Sequence, residues 1–128
     1  VWMGGCFVYN KTMEEKWKVL LYTTLQGEKP VNEFIHSLEL KAKTKVYNAL
    51  ELLKSFGVSV GSPHIKKLTG TELWELRILG SDSIRILYIA IRGKNFLLLH
   101  GFKKKKDKTP SKEIRIAEDR LVELRSRI

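Results

Sequence analysis

Apolar and polar positions follow two different periods along this chain, and the period changes where proline or glycine stands. Side chains alternate from Trp17 to Thr24 with a high content of β-branched and aromatic residues, which predicts a strand. After Pro30, apolar residues recur at steps of three and four up to Leu38, which predicts a short helix. A second run of this kind continues from Ala42 to Phe56 and stops at Gly57, a residue suited to the left-handed helix cap. The first half of the chain is therefore predicted as a strand and a helical hairpin.

The second half carries three short apolar runs divided by polar turns that contain glycine: Leu73–Leu79, Ile84–Ile91 and Phe96–Phe102. Their spacing predicts an antiparallel meander. Apolar residues then recur at helical steps from Ile114 to Ile128, with Thr109 as the predicted N-cap and Pro110 at the first helical position. The order strand, helix, helix, three strands, helix predicts an α+β fold in which helices cover one face of a small antiparallel sheet.

The length of 128 residues suits one globular domain and is too short for two full cores. We predict a single domain over residues 15–128. Met13 offers an alternative start, and we expect residues 1–14 to be a disordered or non-native extension rather than a first strand.

Lysine and arginine outnumber aspartate and glutamate, and the formal net charge is +10. This surplus favours a polyanionic partner, because clustered cations release counterions when they meet phosphates. The single cysteine, Cys6, excludes an internal disulfide and fits a reducing cytoplasm. No apolar run reaches the roughly 18 residues of a membrane span, so no membrane partner is expected. His36, His64 and His100 are dispersed and make a poor metal set, and no cofactor is expected.

Five charged residues stand where the side chains of the predicted meander would meet. Glu75 and Arg77 share one face of the first meander strand, and Arg85 lies within the apolar run IRILYIAI. If the turn between these strands has an odd number of residues, Arg77 stands opposite Arg85. Like-charged pairs of this kind are unfavourable unless an anion lies between them. Lys103 and Lys104 leave the third strand close to Arg85, and we therefore predict a concave cationic site for phosphate.

The lysines near this site also have a less specific interpretation. A lysine run such as residues 103–106 is by itself typical of a solvated loop. Convergence of two strand ends favours a functional role for Lys103 and Lys104 only. Four other lysines are predicted to attract nucleic acid in a general way: Lys66, Lys67, Lys105 and Lys106.

Two further side chains have alternative interpretations. Glu75 and Arg77 would also make an ordinary surface ion pair of small energetic worth. His100 is expected on the same side of its strand as Phe96 and Leu98, where a hydrogen-bonded, half-buried histidine is favoured over a catalytic one.

Read together, several segments of this chain resemble one known family: KPVNEFIHSL, KKLTGTELWELRI, SIRILYIAI, LLLHGFKKKKDKTP and EIRIAEDRL. In this combination, residues 15–127 resemble the HigB-like, phage-associated branch of the RelE/ParE toxin superfamily. The resemblance implies a RelE-like fold and a toxin of a bacterial toxin–antitoxin pair. Such a toxin is most often an endoribonuclease that cuts messenger RNA in the ribosomal A site.

Active relatives carry basic residues on the sheet, and these map by position onto Arg77, Arg85, Lys103 and Lys104. Two positions depart from the family pattern. The lysines that relatives carry in the first meander strand fall at about Leu73 and Glu75, and their tyrosine beyond the basic end falls near Pro110. The resemblance therefore leaves the proton-transfer groups of this chain unassigned.

RNA cleavage without a metal requires removal of the 2′-OH proton, stabilisation of charge on the phosphate, and protonation of the leaving oxygen. Arg77 and Arg85 suit the second task, because a guanidinium group holds two phosphate oxygens and keeps its charge. A lysine among other cations has its ammonium form disfavoured, so Lys103 or Lys104 is a candidate for proton transfer. Glu75 is another candidate base, and the sequence leaves the choice open.

The resemblance also implies partners: messenger RNA on the ribosome and a cognate antitoxin, commonly a helix-turn-helix protein. Two other functions stay open on the sequence alone. One is a ParE-like inhibitor of DNA gyrase, and the other is a non-catalytic module that binds nucleic acid or an antitoxin. Salt-sensitive RNA binding without cleavage would indicate the last of these.

Overall fold

The computed structural model describes residues 17–57, 64–78, 80, 83–104 and 108–127. Within these residues the chain forms, in order, β1 (Lys18–Leu21), α1 (Pro30–His36), α2 (Leu40–Phe56), β2 (Ile65–Lys67), β3 (Trp74–Ile78), β4 (Ile84–Ile91), β5 (Asn95–Lys103) and α3 (Ser111–Arg125). The predicted α+β class is confirmed, and each predicted strand and helix is present. Strand β2 was not predicted, because three residues with two lysines show no strand period. Predictions made for residues 1–14, Lys105 and Lys106 fall outside the described residues.

The described strands form one mixed sheet of five strands in the order β1-β5-β4-β3-β2. Strands β3, β4 and β5 pair antiparallel in the predicted meander, and β2 pairs antiparallel with β3. Strand β1 pairs with β5 in parallel, with Lys18 opposite Asn95 and Leu21 opposite Leu98. Parallel neighbours need a long crossover, and here both helices of the hairpin and most of the meander lie between them. No helix in the described part of the chain is long and apolar enough to cross a membrane.

Helices cover both faces of this sheet. The first core lies beneath α1 and α2 and includes Val46, Ile86 and Phe96. The second core lies beneath α3 and includes Leu87 and Leu121. Successive residues of a strand point to opposite faces, and Ile86 and Leu87 are both fully buried. The expectation that helices cover only one face was therefore wrong, because β4 is apolar on both faces and needs cover on each.

Glycine permits two close approaches that hold the helical hairpin against the sheet. Helix α2 ends at Gly57, where φ is 58° and a β-carbon would stand 2.6 Å from the Trp17 indole nitrogen. At Gly101 of β5, a β-carbon would stand 2.6 Å from the ring of Phe34 in α1. Side chains at these positions would displace both aromatic rings. The predicted helix end at Gly57 is confirmed.

Helix α3 begins differently from its prediction. Pro110 is the extended residue before the first turn, with φ −62° and ψ 141°, and no described side chain caps this turn. The predicted N-cap residue, Thr109, instead donates a hydrogen bond from its hydroxyl group to Glu75 on β3. The N-cap prediction was wrong because a buried carboxylate competes for the same hydroxyl. This contact ties the start of α3 to the sheet at the predicted site.

Candidate functional site

The register of the meander brings two arginines face to face. Arg77 of β3 stands directly opposite Arg85 of β4, which is the arrangement that the sequence allowed for an odd-numbered turn. Arg85 in turn stands opposite Phe102 of β5, which belongs to the second core. Residues opposite one another in antiparallel strands share a face. Both guanidinium groups therefore lie on the face that α3 partly covers.

Glu75 supplies the anion between the two arginines. Its side chain is 0% exposed, and its Oε1 accepts a hydrogen bond from Arg77 Nε at 3.3 Å and lies 3.8 Å from Arg85 Nε. Its Oε2 accepts the hydrogen bond from the Thr109 hydroxyl group. A buried carboxylate is costly unless it is paired and hydrogen-bonded, and Glu75 has both kinds of partner. The interpretation of Glu75 and Arg77 as a surface ion pair was therefore wrong.

Arg85 retains hydrogen-bonding capacity despite these contacts. Its side chain is 15% exposed, and one terminal nitrogen donates to the Ile84 carbonyl at 3.0 Å. Its Nε is buried and makes no hydrogen bond to any described residue. Burial lowers the pKa of Arg85, Glu75 opposes this effect, and the charge of Arg77 adds to it. An anion that reached Arg85 would meet a partly desolvated guanidinium group, whose hydrogen bonds are stronger than those of a fully hydrated one.

The two adjacent lysines at the end of β5 lie in different environments. Lys103 stands opposite Ile84, a residue of the first core, and is exposed on the α1 and α2 face. Lys104 is 9% exposed, and its backbone N–H donates to the Ser83 carbonyl at 2.8 Å. Burial lowers the pKa of Lys104, Glu75 opposes this, and Arg85 adds to the lowering. The structure thus brings Lys104 to the two arginines and leaves Lys103 outside their group.

The lysines of β2 are also separated by strand alternation. Lys66 stands opposite Glu75 and is close enough for its charge to contribute to the lowered pKa of Lys104. The Lys67 ammonium group instead donates to the Thr71 carbonyl in the turn before β3. We call Arg77, Arg85, Lys104 and Lys66, gathered around the buried Glu75, the cationic cluster.

A β-bulge changes the position of His100. Leu87 stands opposite His100 and Tyr88 opposite Leu98, so Leu99 is the extra residue. The His100 ring therefore meets α3, with Nε2 2.6 Å from the Glu113 carboxylate and Nδ1 3.3 Å from an Arg120 nitrogen. The sheet face predicted for His100 was wrong, because periodicity does not reveal a bulge. The prediction that His100 is half-buried and hydrogen-bonded is confirmed. Burial lowers the pKa of His100 although Glu113 opposes this effect.

Sequence reasoning missed Thr109 as a partner of Glu75. A threonine before a proline at a helix start gives no signal beyond a cap preference. Its contact depends on the path that the chain takes from β5 to α3. A signal did exist for the carboxylate, because Glu75 stands between Trp74 and Leu76 in a strand. A charged residue in such a place needs a partner from another part of the chain.

The chemistry available at the cationic cluster is recognition and stabilisation of a phosphate. Two partly exposed guanidinium groups and one lysine with a lowered pKa converge on one face. Preorganised cations of this kind stabilise charge that develops in a transition state. Among the described residues, no three His, Cys, Asp or Glu side chains gather at a position that would hold a metal ion.

Comparison with protein-family models matches residues 33–122 to the family described as phage derived protein Gp49-like (DUF891). The matched segment runs from α1 into α3 and includes the whole cationic cluster. This family is toxin-like and is part of the RelE/HigB-like toxin group. A comparison with curated proteins gives no match.

Proposed function

Because the chain belongs to the Gp49-like family of phage-derived proteins, a toxin-like family, we propose that it is the toxin of a toxin–antitoxin pair and cuts messenger RNA on the ribosome. The observation that carries this proposal is the cross-strand pair of Arg77 and Arg85. Two guanidinium groups held side by side at a partly exposed surface match the oxygens of one phosphodiester.

Glu75 has a positioning role in this proposal. Its carboxylate is fully buried and already accepts hydrogen bonds from Arg77 and Thr109. A group in this state does not reach a substrate hydroxyl, but it offsets the repulsion between Arg77 and Arg85 before RNA binds. Glu75 therefore holds the phosphate clamp in place, and it is not the general base.

Lys104 is the proposed proton-transfer residue. Its lowered pKa increases the neutral fraction near pH 7, which a general base requires. Neutral Lys104 takes the 2′-OH proton, and the 2′ oxygen attacks the phosphorus held by the arginines. The bond from phosphorus to the 5′ oxygen breaks, and the leaving oxygen takes a proton from water. The products are a 2′,3′-cyclic phosphate and a 5′-hydroxyl end.

The remaining basic residues are proposed as RNA contacts. Lys66 and Lys103 are exposed on opposite sides of the sheet. Together with Lys67, Lys105 and Lys106 they would bind phosphates of the flanking nucleotides, and binding would weaken as the salt concentration rises. The family also suggests an antitoxin partner, which we propose to be a helix-turn-helix protein.

The test is 5′-end mapping of a defined messenger RNA in a reconstituted translation reaction. Wild type is compared with Arg85→Ala and with Arg92→Ala, a control in the exposed turn that follows β4. We expect codon-phased cuts that need ribosomes, persist in the control and fall at least about a hundredfold in Arg85→Ala. Circular dichroism of the three proteins checks that each one is folded.

Two results would contradict the proposal in different ways. Full cleavage by Arg85→Ala would remove the cationic cluster from the mechanism. No cleavage by the wild type, although its expression arrests growth, would overturn the nuclease function and direct the search to DNA gyrase.

A further inference from the structure

A groove of about 320 Å³ lies on the α3 face, toward the end of β4 that is remote from the cationic cluster. The sheet contributes Ile89 of β4 and Leu97 of β5, which stand opposite each other. Helix α3 contributes Leu121 and Leu124. Ile89 follows Arg85 by four residues along β4, so the sheet side of the groove lies about 13 Å from the cationic cluster.

The groove follows from the points at which α3 is held. The Arg120 guanidinium group donates to the Leu99 carbonyl at 2.8 Å, which fixes the middle of the helix on β5. The last turn is held sideways, because Arg125 makes a bidentate contact at 2.7 and 2.8 Å with Glu72, in the segment before β3. Strand β4 continues to Ile91, which is 37% exposed. Helix α3 therefore leaves the last part of β4 incompletely covered.

Cations surround this apolar groove. Arg92 and Arg125 are both exposed and line its edge. Lys18 of β1 stands opposite Asn95, which in turn stands opposite Ile91, so the exposed Lys18 side chain lies on the same face of the sheet. Arg125 is already paired, whereas the guanidinium group of Arg92 makes no ion pair or hydrogen bond with any described residue. Arg92 is therefore available to an anion.

The volume and the lining match a small ligand with two chemical parts. Sites for small molecules are concave, have volumes of about 300–1,000 Å³, and combine a mainly apolar lining with a few charged groups that fix orientation. This groove has all three features. A stable protein interface instead buries about 800 Å² on each partner, and here cations border the apolar surface. The geometry thus favours a small amphipathic anion over a protein.

We propose that this groove binds an aliphatic carboxylate, with its chain between Leu97 and Leu124 and its carboxylate on Arg92. Burial of the chain supplies affinity, and charge-assisted hydrogen bonds from the guanidinium group fix its orientation. The groove shares no residue with the cationic cluster. Binding here is therefore independent of the proposed nuclease function, and Arg92 stays a valid control for that function.

The first experiment titrates the ¹⁵N-labelled full chain with decanoate and follows the backbone amides by NMR. We expect saturable shifts that are largest at Ile89, Leu97 and Leu124. Butyrate carries the same charge on a shorter chain and should bind at least about tenfold more weakly, because it buries fewer methylene groups. Absence of decanoate binding would overturn the proposal. So would shifts that are largest at Arg85 and Lys104, which would assign the anion to the cationic cluster.

The second experiment measures decanoate and decanol binding to variants by calorimetry. We expect Arg92→Gln to weaken decanoate binding at least about fivefold and to leave decanol binding unchanged. Arg115→Gln is the control, because it removes the same charge from an exposed position of α3 that does not line the groove. Leu124→Trp fills the groove and should weaken binding of both compounds. Equal decanoate affinities in Arg92→Gln and Arg115→Gln would overturn the proposal.

Two further measurements keep the outcome unambiguous. Circular dichroism checks that each variant is folded, and the comparison of Arg92→Gln with Arg115→Gln is decisive even if Leu124→Trp does not fold. Sedimentation equilibrium tests a second copy of the chain as the occupant. A dimer that Leu124→Trp dissociates, without decanoate binding to the wild type, would overturn the ligand proposal and assign the groove to self-association.

Discussion

The two faces of the sheet differ in what they bury. The first core, beneath α1 and α2, consists of apolar residues such as Phe96 and Ile86. On the other face α3 packs mainly on β5 and β4, and the β3 end of that face carries Glu75. Glu75 and Lys104 are the buried charged residues in the described part of the chain, and both belong to the cationic cluster. The first face is thus stabilised by apolar packing throughout, whereas the second combines an apolar core with buried charges at its β3 end, where we propose that the chemistry takes place.

The largest expected effect on stability comes from the first core. The Phe96 ring stacks on Trp17 at 4.3 Å between centroids and meets Tyr88 edge-on at 5.3 Å. We expect Phe96→Ala to lower the free energy of unfolding by about 4 kcal/mol, because it leaves a cavity and removes ring contacts. Urea denaturation measures this loss. A loss below about 1 kcal/mol would contradict the role of this face, whereas Val122→Ala on the exposed side of α3 should change little.

The second-largest expected effect on stability comes from removing the buried negative charge of Glu75. Glu75→Gln leaves Arg77 and Arg85 facing each other without a carboxylate, and we expect a loss of about 3 kcal/mol. Sulfate should restore part of this stability in the variant, because it takes the place of the missing anion. Thermal melting with and without sulfate measures both effects. Glu72→Gln breaks an exposed pair with Arg125, is expected to cost less than about 1 kcal/mol, and serves as the control.

Replacing each of the two adjacent lysines at the end of β5 in turn compares the two faces of the sheet. We expect Lys104→Met to reduce the single-turnover cleavage rate about a hundredfold, and Lys103→Met to reduce it far less. In the wild type the rate should rise with pH, because neutral Lys104 accepts the proton. This rise should be lost in Lys104→Met and retained in Lys103→Met. Equal losses in the two variants would argue against Lys104 as the proton-transfer residue.

The smallest expected effect is the contribution of His100 to the pH dependence of stability. Burial lowers the pKa of His100 in the folded state, so the unfolded chain binds more protons at mildly acidic pH. Stability should therefore fall as the pH drops below about 6.5, with a slope of at most about 1.4 kcal/mol per pH unit from this group. His100→Gln should reduce the slope, and His36→Gln, at the exposed end of α1, serves as the control for loss of a histidine. Urea denaturation from about pH 5.5 to about pH 7.5, on both sides of the ordinary histidine pKa, decides whether His100 contributes to the pH dependence of stability.

The periodicity of apolar residues predicted most of the fold, and the positions of charged residues along the strands predicted part of the site. The sequence placed Arg77 opposite Arg85 only on the condition of an odd-numbered turn, because register follows from turn length, and the predicted strand ends did not meet that condition. The structure meets it, because β3 ends at Ile78, one residue earlier than predicted, opposite Ile84. The run IRILYIAI also carried unused information, since a strand that is apolar on both sides indicates cover on both faces. That signal predicts a helix on each side of the sheet.

Other features depended on contacts between distant residues. The bulge at Leu99 and the hydrogen bond from Thr109 to Glu75 have no periodic signature. The separation of Lys103 from Lys104 followed from strand alternation. Which of the two lysines joins the arginines depended on where β5 ends.

The parallel pairing of β1 with β5 has a consequence for synthesis of the chain. Strand β1 leaves the ribosome first, but its partner is made only after the helical hairpin and most of the meander. Pairings between distant segments form late, because loop closure precedes their gain in contacts. Lys104 and Thr109 are added later still. We therefore expect the cationic cluster to be assembled only after β5 and the start of α3 have been synthesised, so that its charges come together later than the helical hairpin folds.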